Sequence, residues 1–179
     1  MTVTLVLGGA RSGKTAFALQ QAQGAGQARK GGEARESGDA LIMIATAQAF
    51  DDEMRERIAR HQDERDGRWR TVEAPMDLAA VIGGLGASDV AVVDCLTLWL
   101  TNVMLADGDV EAAVRELVEA VMACPAKLWL VSNEVGWGLV PETALGRRFR
   151  DEAGRLHQRL AQAADAAVLI VAGLPLTLK

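Results

Sequence analysis

A glycine-rich segment near the N-terminus, GGARSGKT from Gly8 to Thr15, has the residue types that bind a nucleotide phosphate. It matches the pattern G-x-x-x-x-G-K-[ST] in full, in which glycines let backbone N–H groups surround the phosphates. Lys14 supplies positive charge to the β- and γ-phosphates, and the Thr15 hydroxyl is a ligand for Mg²⁺. The helix that follows adds its N-terminal dipole. The segment therefore predicts a nucleotide site that uses Mg²⁺.

Asp94 is the second residue whose position suggests chemistry. It ends the apolar run that contains Val92 and Val93, and a P-loop enzyme places its second Mg²⁺ ligand at such a strand end, directly or through water. An aspartate that only caps the next turn would explain the same residue without a metal. The order of strand, phosphate loop, helix and later strand ending in aspartate favours the metal interpretation.

His61 is the third candidate, and its role depends on the helix face on which it lies. A helix is predicted to begin at Asp51, where Met54, Ile58 and His61 follow at i, i+4 and i+7 and share one face. His61 therefore packs inward or lines a cleft. Two interpretations remain open, a partly buried structural histidine and an active-site histidine. The other histidine, His157, flanks an apolar stripe and is interpreted as structural.

The elements that must position these groups are indicated by short apolar runs rich in β-branched residues. The runs are continuously apolar, as is typical of strands covered on both faces. Helical patterns lie between them at 110–122 and 141–164, the second with Pro141 at its first position. This alternation predicts an α/β fold with a mostly parallel sheet and helices on both faces. The predicted strands are 2–7, 41–46, 90–95, 127–132 and 166–172, and the C-terminal PLTLK adds a short edge strand.

Length and composition predict one globular catalytic domain spanning residues 1–179, since 179 residues can bury a sizeable core. The net charge of −5 does not indicate a nucleic-acid partner, and no apolar run is long enough to span a membrane. We expect a cytoplasmic protein, because a signal peptide is not indicated and Cys95 and Cys124 fit two buried thiols. The polar, glycine-rich segment 23–39 predicts a long surface loop.

Longer blocks of sequence carry a resemblance to a known family, and they cover nearly the whole chain apart from 21–39 and 75–88. The blocks are GGARSGKT, IATAQAFDDEMRERIARHQDERDGRWRTVE, VVDCLTLWLTN, NEVGWGLVPETALGRRFRDEAGRLHQRLA and VAGLPLTLK. Together they resemble the bifunctional adenosylcobinamide kinase/adenosylcobinamide-phosphate guanylyltransferases. The resemblance implies a RecA-like P-loop fold and a homotrimer, which would also account for the apolar CLTLWL that follows Asp94.

The resemblance implies two reactions of cobalamin biosynthesis at one nucleotide site. ATP or GTP phosphorylates the aminopropanol hydroxyl of adenosylcobinamide. GTP then gives GMP to an enzyme histidine with release of pyrophosphate, and the GMP passes to adenosylcobinamide phosphate. The family's guanylylated histidine corresponds to His61, and a neutral imidazole is a nucleophile at pH 7.

The resemblance also implies which residues serve these reactions. Lys14 and His61 are the expected catalytic residues, and Thr15 and Asp94 are the expected Mg²⁺ ligands. Some relatives have glutamate at position 94, so the shorter acid is a departure that changes reach and keeps charge. The expected nucleotide contacts are Gly8, Gly9, Ala10, Arg11, Ser12, Gly13, Lys14, Thr15, Ala45, Thr46, Ala47, Gln62, Asp63, Glu64, Arg65, Glu73 and Asp94.

Two other functions fit the phosphate loop. One is a P-loop kinase of another small alcohol, in which His61 is structural, and the other is a nucleotide-dependent switch or assembly subunit. ATP and GTP stay equal candidates as the kinase donor.

Trp137 lies between two glycines after the fourth predicted strand. It is interpreted either as a buried anchor for its loop or as a residue that packs against the corrinoid.

Overall fold

The computed structural model describes residues 2–27, 41–48 and 67–179. In these ranges seven strands form one sheet in the order β3-β2-β4-β5-β1-β6-β7. Neighbouring strands are parallel, except that β6 and β7 are antiparallel. The strands are β1 (Thr2–Gly8), β2 (Leu41–Ala45), β3 (Trp69–Glu73), β4 (Val90–Asp94), β5 (Lys127–Asn133), β6 (Ala166–Val171) and β7 (Leu174–Thr177).

Helices cover both faces of the sheet, as the sequence predicts. The described helices are α1 (Lys14–Gln27), α2 (Leu78–Gly83), α3 (Leu96–Leu105), α4 (Val110–Ala123) and α5 (Ala144–Ala163). On one face, Ala18 and Ala22 of α1 belong to the same apolar cluster as Val92. On the other face, α2 to α5 contribute to a larger core that includes Trp99 and Leu156. None of the helices in these ranges is both long and apolar enough to cross a membrane.

One strand separates the two that carry the predicted phosphate-site residues. Strand β5 lies between β1, which leads into the glycine-rich segment, and β4, which ends at Asp94. The four residues Val90 to Val93 are fully buried because helices pack on both faces of the central strands. This strand order in a mostly parallel sheet is that of a RecA-like P-loop fold, and the predicted fold class is confirmed.

Strand β3 is absent from the sequence prediction. It is an edge strand whose residues are at most half-buried, so it lacks the continuous apolar run that marks the central strands. The C-terminal edge strand is confirmed as β7, where Pro175 lies opposite Ile170. The proline is tolerated because an edge strand has one side without a pairing partner.

Two predicted boundaries are wrong. Helix α5 begins at Ala144 rather than near Pro141, because Thr143 is its N-cap and accepts a hydrogen bond from the Gly146 amide at 3.1 Å. Helix α1 continues to Gln27, so the first part of the predicted 23–39 loop is helical. The good helix formers Gln and Ala outweigh the two glycines there.

The apolar segment after Asp94 is explained by burial inside the chain itself. It forms α3, and Leu96, Trp99 and Leu100 are each at most 2% exposed. A subunit interface is therefore not needed to account for its composition. The predicted helix that begins at Asp51, with its shared face of Met54, Ile58 and His61, lies outside the described residues.

Candidate active site

The segment Gly8–Thr15 forms a turn between β1 and α1 that only glycine permits at its first position. A Cβ atom on Gly8 would lie 2.5 Å from Ser12 Oγ and 2.6 Å from the Ile170 carbonyl oxygen. Gly13 has a φ of +96°, a conformation that L residues rarely adopt. Phe17 N donates to Gly13 O at 3.0 Å and starts the hydrogen bonding of the helix. The local sequence thus sets a tight loop that leads directly into a helix N-terminus.

Lys14 lies inside this loop rather than in solvent. Its side chain reaches back so that Nζ donates to Gly9 O at 2.7 Å, and the residue is only 7% exposed. Ser12 Oγ is also buried and, among the described residues, has no hydrogen-bond partner. A buried ammonium and a buried hydroxyl are both donors that phosphate oxygens can satisfy. The loop therefore fits an anionic phosphate.

The two predicted Mg²⁺ ligands lie within hydrogen-bond distance of each other. Thr15 Oγ1 donates to Asp94 Oδ2 at 3.1 Å, although the two residues are 79 positions apart in the sequence. Hydroxyl and carboxylate oxygens are suitable ligands for Mg²⁺. The described ranges hold no cluster of three or more His, Cys, Asp or Glu residues around one point. Mg²⁺ in proteins commonly takes further ligands from phosphates and water.

The predicted nucleotide contacts at the end of β2 lie beside Asp94, because the strand register aligns the ends of β2, β3 and β4. Ala45 pairs with Glu73 on one side and with Asp94 on the other. Ala47 is partly exposed beyond the strand end. The carboxyl edge of the sheet therefore brings together all the described members of the predicted nucleotide site.

Buried hydrogen bonds fix Thr46 at this edge. Its hydroxyl donates to Cys95 O at 2.7 Å and accepts from Cys95 N at 2.9 Å. Asn102 of α3 donates to Thr46 O at 2.8 Å and to Pro75 O at 2.9 Å. Asn102 is missed by the sequence analysis, since a polar residue in an apolar helix was the only signal for it. It holds the ends of two strands in one position.

Cys95 is a buried thiol, as predicted, and so is Cys124. Burial raises the pKa of the Cys95 thiol, and the nearby Asp94 carboxylate raises it further. The protonated thiol is neither a nucleophile nor a metal ligand at neutral pH. Cys95 therefore contributes to the site through its backbone bonds to Thr46, and its Sγ atom lies 3.1 Å from Thr97 Oγ1.

His157 is buried, as predicted, but it has polar partners that the sequence analysis missed. Its Nε2 lies 2.7 Å from Ser132 Oγ on β5, and its Nδ1 lies 3.7 Å from Glu134 Oε2. Burial lowers the pKa of the His157 imidazole, while the Glu134 carboxylate opposes that shift. Ser132 belongs to β5, and Glu134 is the first residue after the strand, two positions further along the chain. This spacing of two residues at a strand end is too weak a sequence signal to predict the cluster.

Trp137 projects into solvent, so its interpretation as a buried anchor is wrong. It is 77% exposed, and Leu139 and Val140 beside it are 96% and 63% exposed. The segment follows β5, whose last residue, Asn133, pairs with Gly8 of the phosphate loop. An exposed apolar segment therefore follows the strand end that pairs with the phosphate loop.

The remaining predicted site residues belong to a part of the chain that the structure does not describe. His61 and the expected nucleotide contacts Gln62, Asp63, Glu64 and Arg65 lie outside the described residues. Their roles stay predictions.

Comparison with known proteins gives a near full-length match. The profile of the family described as "Cobinamide kinase / cobinamide phosphate guanyltransferase" matches residues 4–178. A protein of Pseudomonas aeruginosa named "Bifunctional adenosylcobalamin biosynthesis protein CobP" is 45% identical over 98% of this chain and 96% of its own length. "Bifunctional adenosylcobalamin biosynthesis protein CobU" of Salmonella typhimurium is 39% identical over 98% of both. The solved structure of the P4 protein from bacteriophage phi6 in complex with ADP is 17% identical over 97% of this chain and 52% of its own, with a TM-score of 0.49.

Proposed function

Because the chain belongs to the cobinamide kinase/cobinamide phosphate guanyltransferase family, we propose that it carries out both reactions at the phosphate loop. It phosphorylates adenosylcobinamide and then transfers GMP from GTP to adenosylcobinamide phosphate, giving adenosylcobinamide-GDP in cobalamin biosynthesis. The observation that supports this most directly is the complete phosphate loop, with Lys14 inside it and Thr15 bonded to Asp94.

The kinase reaction is a transfer that needs positioning and charge neutralisation more than covalent help from the protein. The backbone of Gly8 to Gly13 and the Lys14 ammonium hold the β- and γ-phosphates. The acceptor alcohol attacks the γ-phosphorus, a new P–O bond forms, and the bond to the β-phosphate oxygen breaks as the nucleoside diphosphate leaves. Thr15 and Asp94 would hold Mg²⁺, which neutralises phosphate charge when bound.

The guanylyl transfer needs a nucleophile, and His61 is the proposed one. Its neutral imidazole attacks the α-phosphorus of GTP, a P–N bond forms, and pyrophosphate leaves. A phosphate oxygen of the cobinamide phosphate then attacks the same phosphorus and releases the histidine. Gln62 to Arg65 are proposed to contact the guanine nucleotide. The support for these residues is the sequence block around His61.

We assign the corrinoid to the apolar segment that follows β5. Trp137, Leu139 and Val140 are exposed next to the strand that pairs with the phosphate loop. Binding of a large, partly apolar ring would remove these apolar side chains from water, and this burial favours the complex. The acceptor end of the substrate would then lie towards the phosphates.

A homotrimer in the cytoplasm is the expected form of the enzyme. Support for self-association comes from exposed apolar residues of the β6–β7 hairpin and the segment that follows it, namely Val171, Leu174, Leu176 and Leu178, each more than half exposed. Exposed apolar patches commonly mark protein contacts. The two free thiols suit a reducing compartment. Sedimentation equilibrium tests the trimer, and a monomer at micromolar concentration would contradict it.

The function is tested by incubating the protein with GTP and Mg²⁺ and measuring its mass, and then by supplying adenosylcobinamide with ATP or GTP. We expect a covalent GMP adduct, phosphorylated cobinamide, and adenosylcobinamide-GDP. Transfer of γ-phosphate without an adduct would indicate a kinase alone. Nucleotide binding without either product would indicate a switch or assembly subunit.

A further inference from the structure

The cluster of Ser132, His157 and Glu134 is not used in the reactions above, yet it joins a helix to the strand beside the phosphate loop. Ser132 is fully buried and His157 is 7% exposed, whereas the Glu134 side chain is 19% exposed. Ser132 cannot act as a nucleophile because no substrate can reach its oxygen. Any effect of the cluster on the reactions would therefore come through the position of the residues that it holds.

One arrangement of protons suits both neighbours of the imidazole. A hydrogen on Nδ1 faces the Glu134 carboxylate, which lies 3.7 Å away. The lone pair of Nε2 then accepts the Ser132 hydroxyl hydrogen across 2.7 Å. The opposite tautomer would turn a lone pair towards the carboxylate. The ring thus presents a donor to Glu134 and an acceptor to Ser132.

Glu134 connects this ring to the phosphate loop and to the apolar segment. Its backbone amide donates to Gly8 O at 2.9 Å, at the first glycine of the loop. Its Oε1 atom accepts from the Gly136 amide at 2.7 Å, next to Trp137. Its other oxygen, Oε2, is the atom that faces His157. One side chain therefore touches both the buried ring and the backbone that leads to Trp137.

We propose that His157 is a positioning residue that acts through Glu134: it orients the Glu134 carboxylate, which holds the backbone of residues 134–138 beside the phosphate loop. It thereby sets the affinity for the acceptor substrate and leaves the affinity for the nucleotide unchanged. The part of the inference that concerns the acceptor rests on the proposed function. The part that concerns the backbone does not.

Two substitutions separate the two contacts of the ring. In His157→Asn, the side-chain amide nitrogen takes the place of Nδ1 and keeps a donor towards Glu134. In His157→Gln, the side-chain amide nitrogen takes the place of Nε2. It contacts Ser132, and the Glu134 carboxylate loses the donor that Nδ1 provides. A role through Glu134 therefore predicts that asparagine preserves function and glutamine does not. The matched control is Gln158→Ala, at an exposed position on the same helix.

Hydrogen exchange of the substrate-free protein tests the backbone part. In His157→Gln we expect amide exchange in residues 134–138 to be about tenfold faster, as expected when a hydrogen-bonded turn loses support. In His157→Asn and Gln158→Ala it should stay within about twofold of the parent protein. Equal exchange in the asparagine and glutamine variants would overturn the proposal, because His157 would then only fill space.

Steady-state kinetics test the acceptor part. His157→Gln should raise the KM for cobinamide about tenfold, with nucleotide Kd within about twofold. An equal loss of nucleotide affinity would overturn it, since the whole phosphate loop would then have moved. If the parent protein does not turn over cobinamide at all, the proposed function fails, and the exchange experiment alone decides whether His157 positions this segment.

Discussion

Thr15 Oγ1 donates a hydrogen bond to Asp94 Oδ2 at 3.1 Å, joining the first turn of α1 to the end of β4. The contact brings together two oxygen atoms that suit Mg²⁺ at the edge where the phosphate loop opens. Mg²⁺ held by these two oxygen atoms would neutralise charge on the substrate phosphates.

Removing the charge of Asp94 should therefore make the enzyme depend on far higher Mg²⁺ concentrations. For Asp94→Asn we expect the kinase kcat to fall about 100-fold or more, since charge stabilisation at phosphates has that magnitude. Asp94→Glu should keep much of the activity, because charge is retained and only reach changes. A Mg²⁺ titration of both variants measures this, with Asp109→Asn, at the N-cap of α4, as the control. Normal Mg²⁺ dependence in Asp94→Asn would exclude Asp94 as a ligand.

Lys14 is expected to serve both reactions, because one phosphate loop holds the nucleotide in each. Lys14→Ala should lower both the kinase and the guanylyl-transfer rates by about 100-fold or more, through loss of a buried positive charge. Lys127→Ala is a suitable comparison, since Lys127 lies at the opposite end of β5. Near-normal rates for either reaction in Lys14→Ala would require a second nucleotide site.

The two histidines should behave differently towards GTP. His61→Asn removes the proposed nucleophile, so it should abolish the GMP adduct while some kinase activity persists. His157→Asn should leave the adduct intact. Peptide mass mapping after incubation with GTP locates the adduct, which should be labile in acid and stable in base. An adduct on any residue other than His61 would contradict the assignment.

The exposed tryptophan should matter for the corrinoid and not for the nucleotide. Trp137→Ala removes a large apolar contact of the kind that contributes about 1 kcal/mol or more, so the KM for cobinamide should rise about fivefold or more. Nucleotide affinity, measured by titration calorimetry, should not change. Met122→Ala, at an exposed apolar position on α4, is the comparison. Unchanged cobinamide kinetics in Trp137→Ala would remove this residue from the binding surface.

His157 should make stability depend on pH. Because burial lowers its folded-state pKa below the ordinary 6.5, the unfolded chain binds a proton first as pH falls. The free energy of unfolding should therefore decrease as pH falls below about 6.5, until the folded-state pKa is passed. Urea denaturation measures this between about pH 7.5 and about pH 5, a range that spans the ordinary pKa of histidine. His157→Asn should flatten the dependence, and an unchanged slope would contradict the prediction.

Local patterns in the sequence were sufficient for the central strands and the phosphate loop. Gly8 to Thr15 is a contiguous motif whose conformation depends on its own glycines, and burial on both faces makes each central strand a continuous apolar run. The same reasoning missed β3, because an exposed edge strand has no such run. It also misplaced the start of α5, since both Pro141 and Thr143 can begin a helix.

Only the tertiary structure decided which distant residues meet. Strand order places β5 between β1 and β4, and register aligns Ala45 with Glu73 and Asp94. These relationships arise from packing between elements far apart in the chain, which no local periodicity encodes. Exposure of Trp137 and the contact between His157 and Glu134 have the same origin. A residue type suggests what chemistry is available, whereas long-range packing decides its partners and its access to solvent.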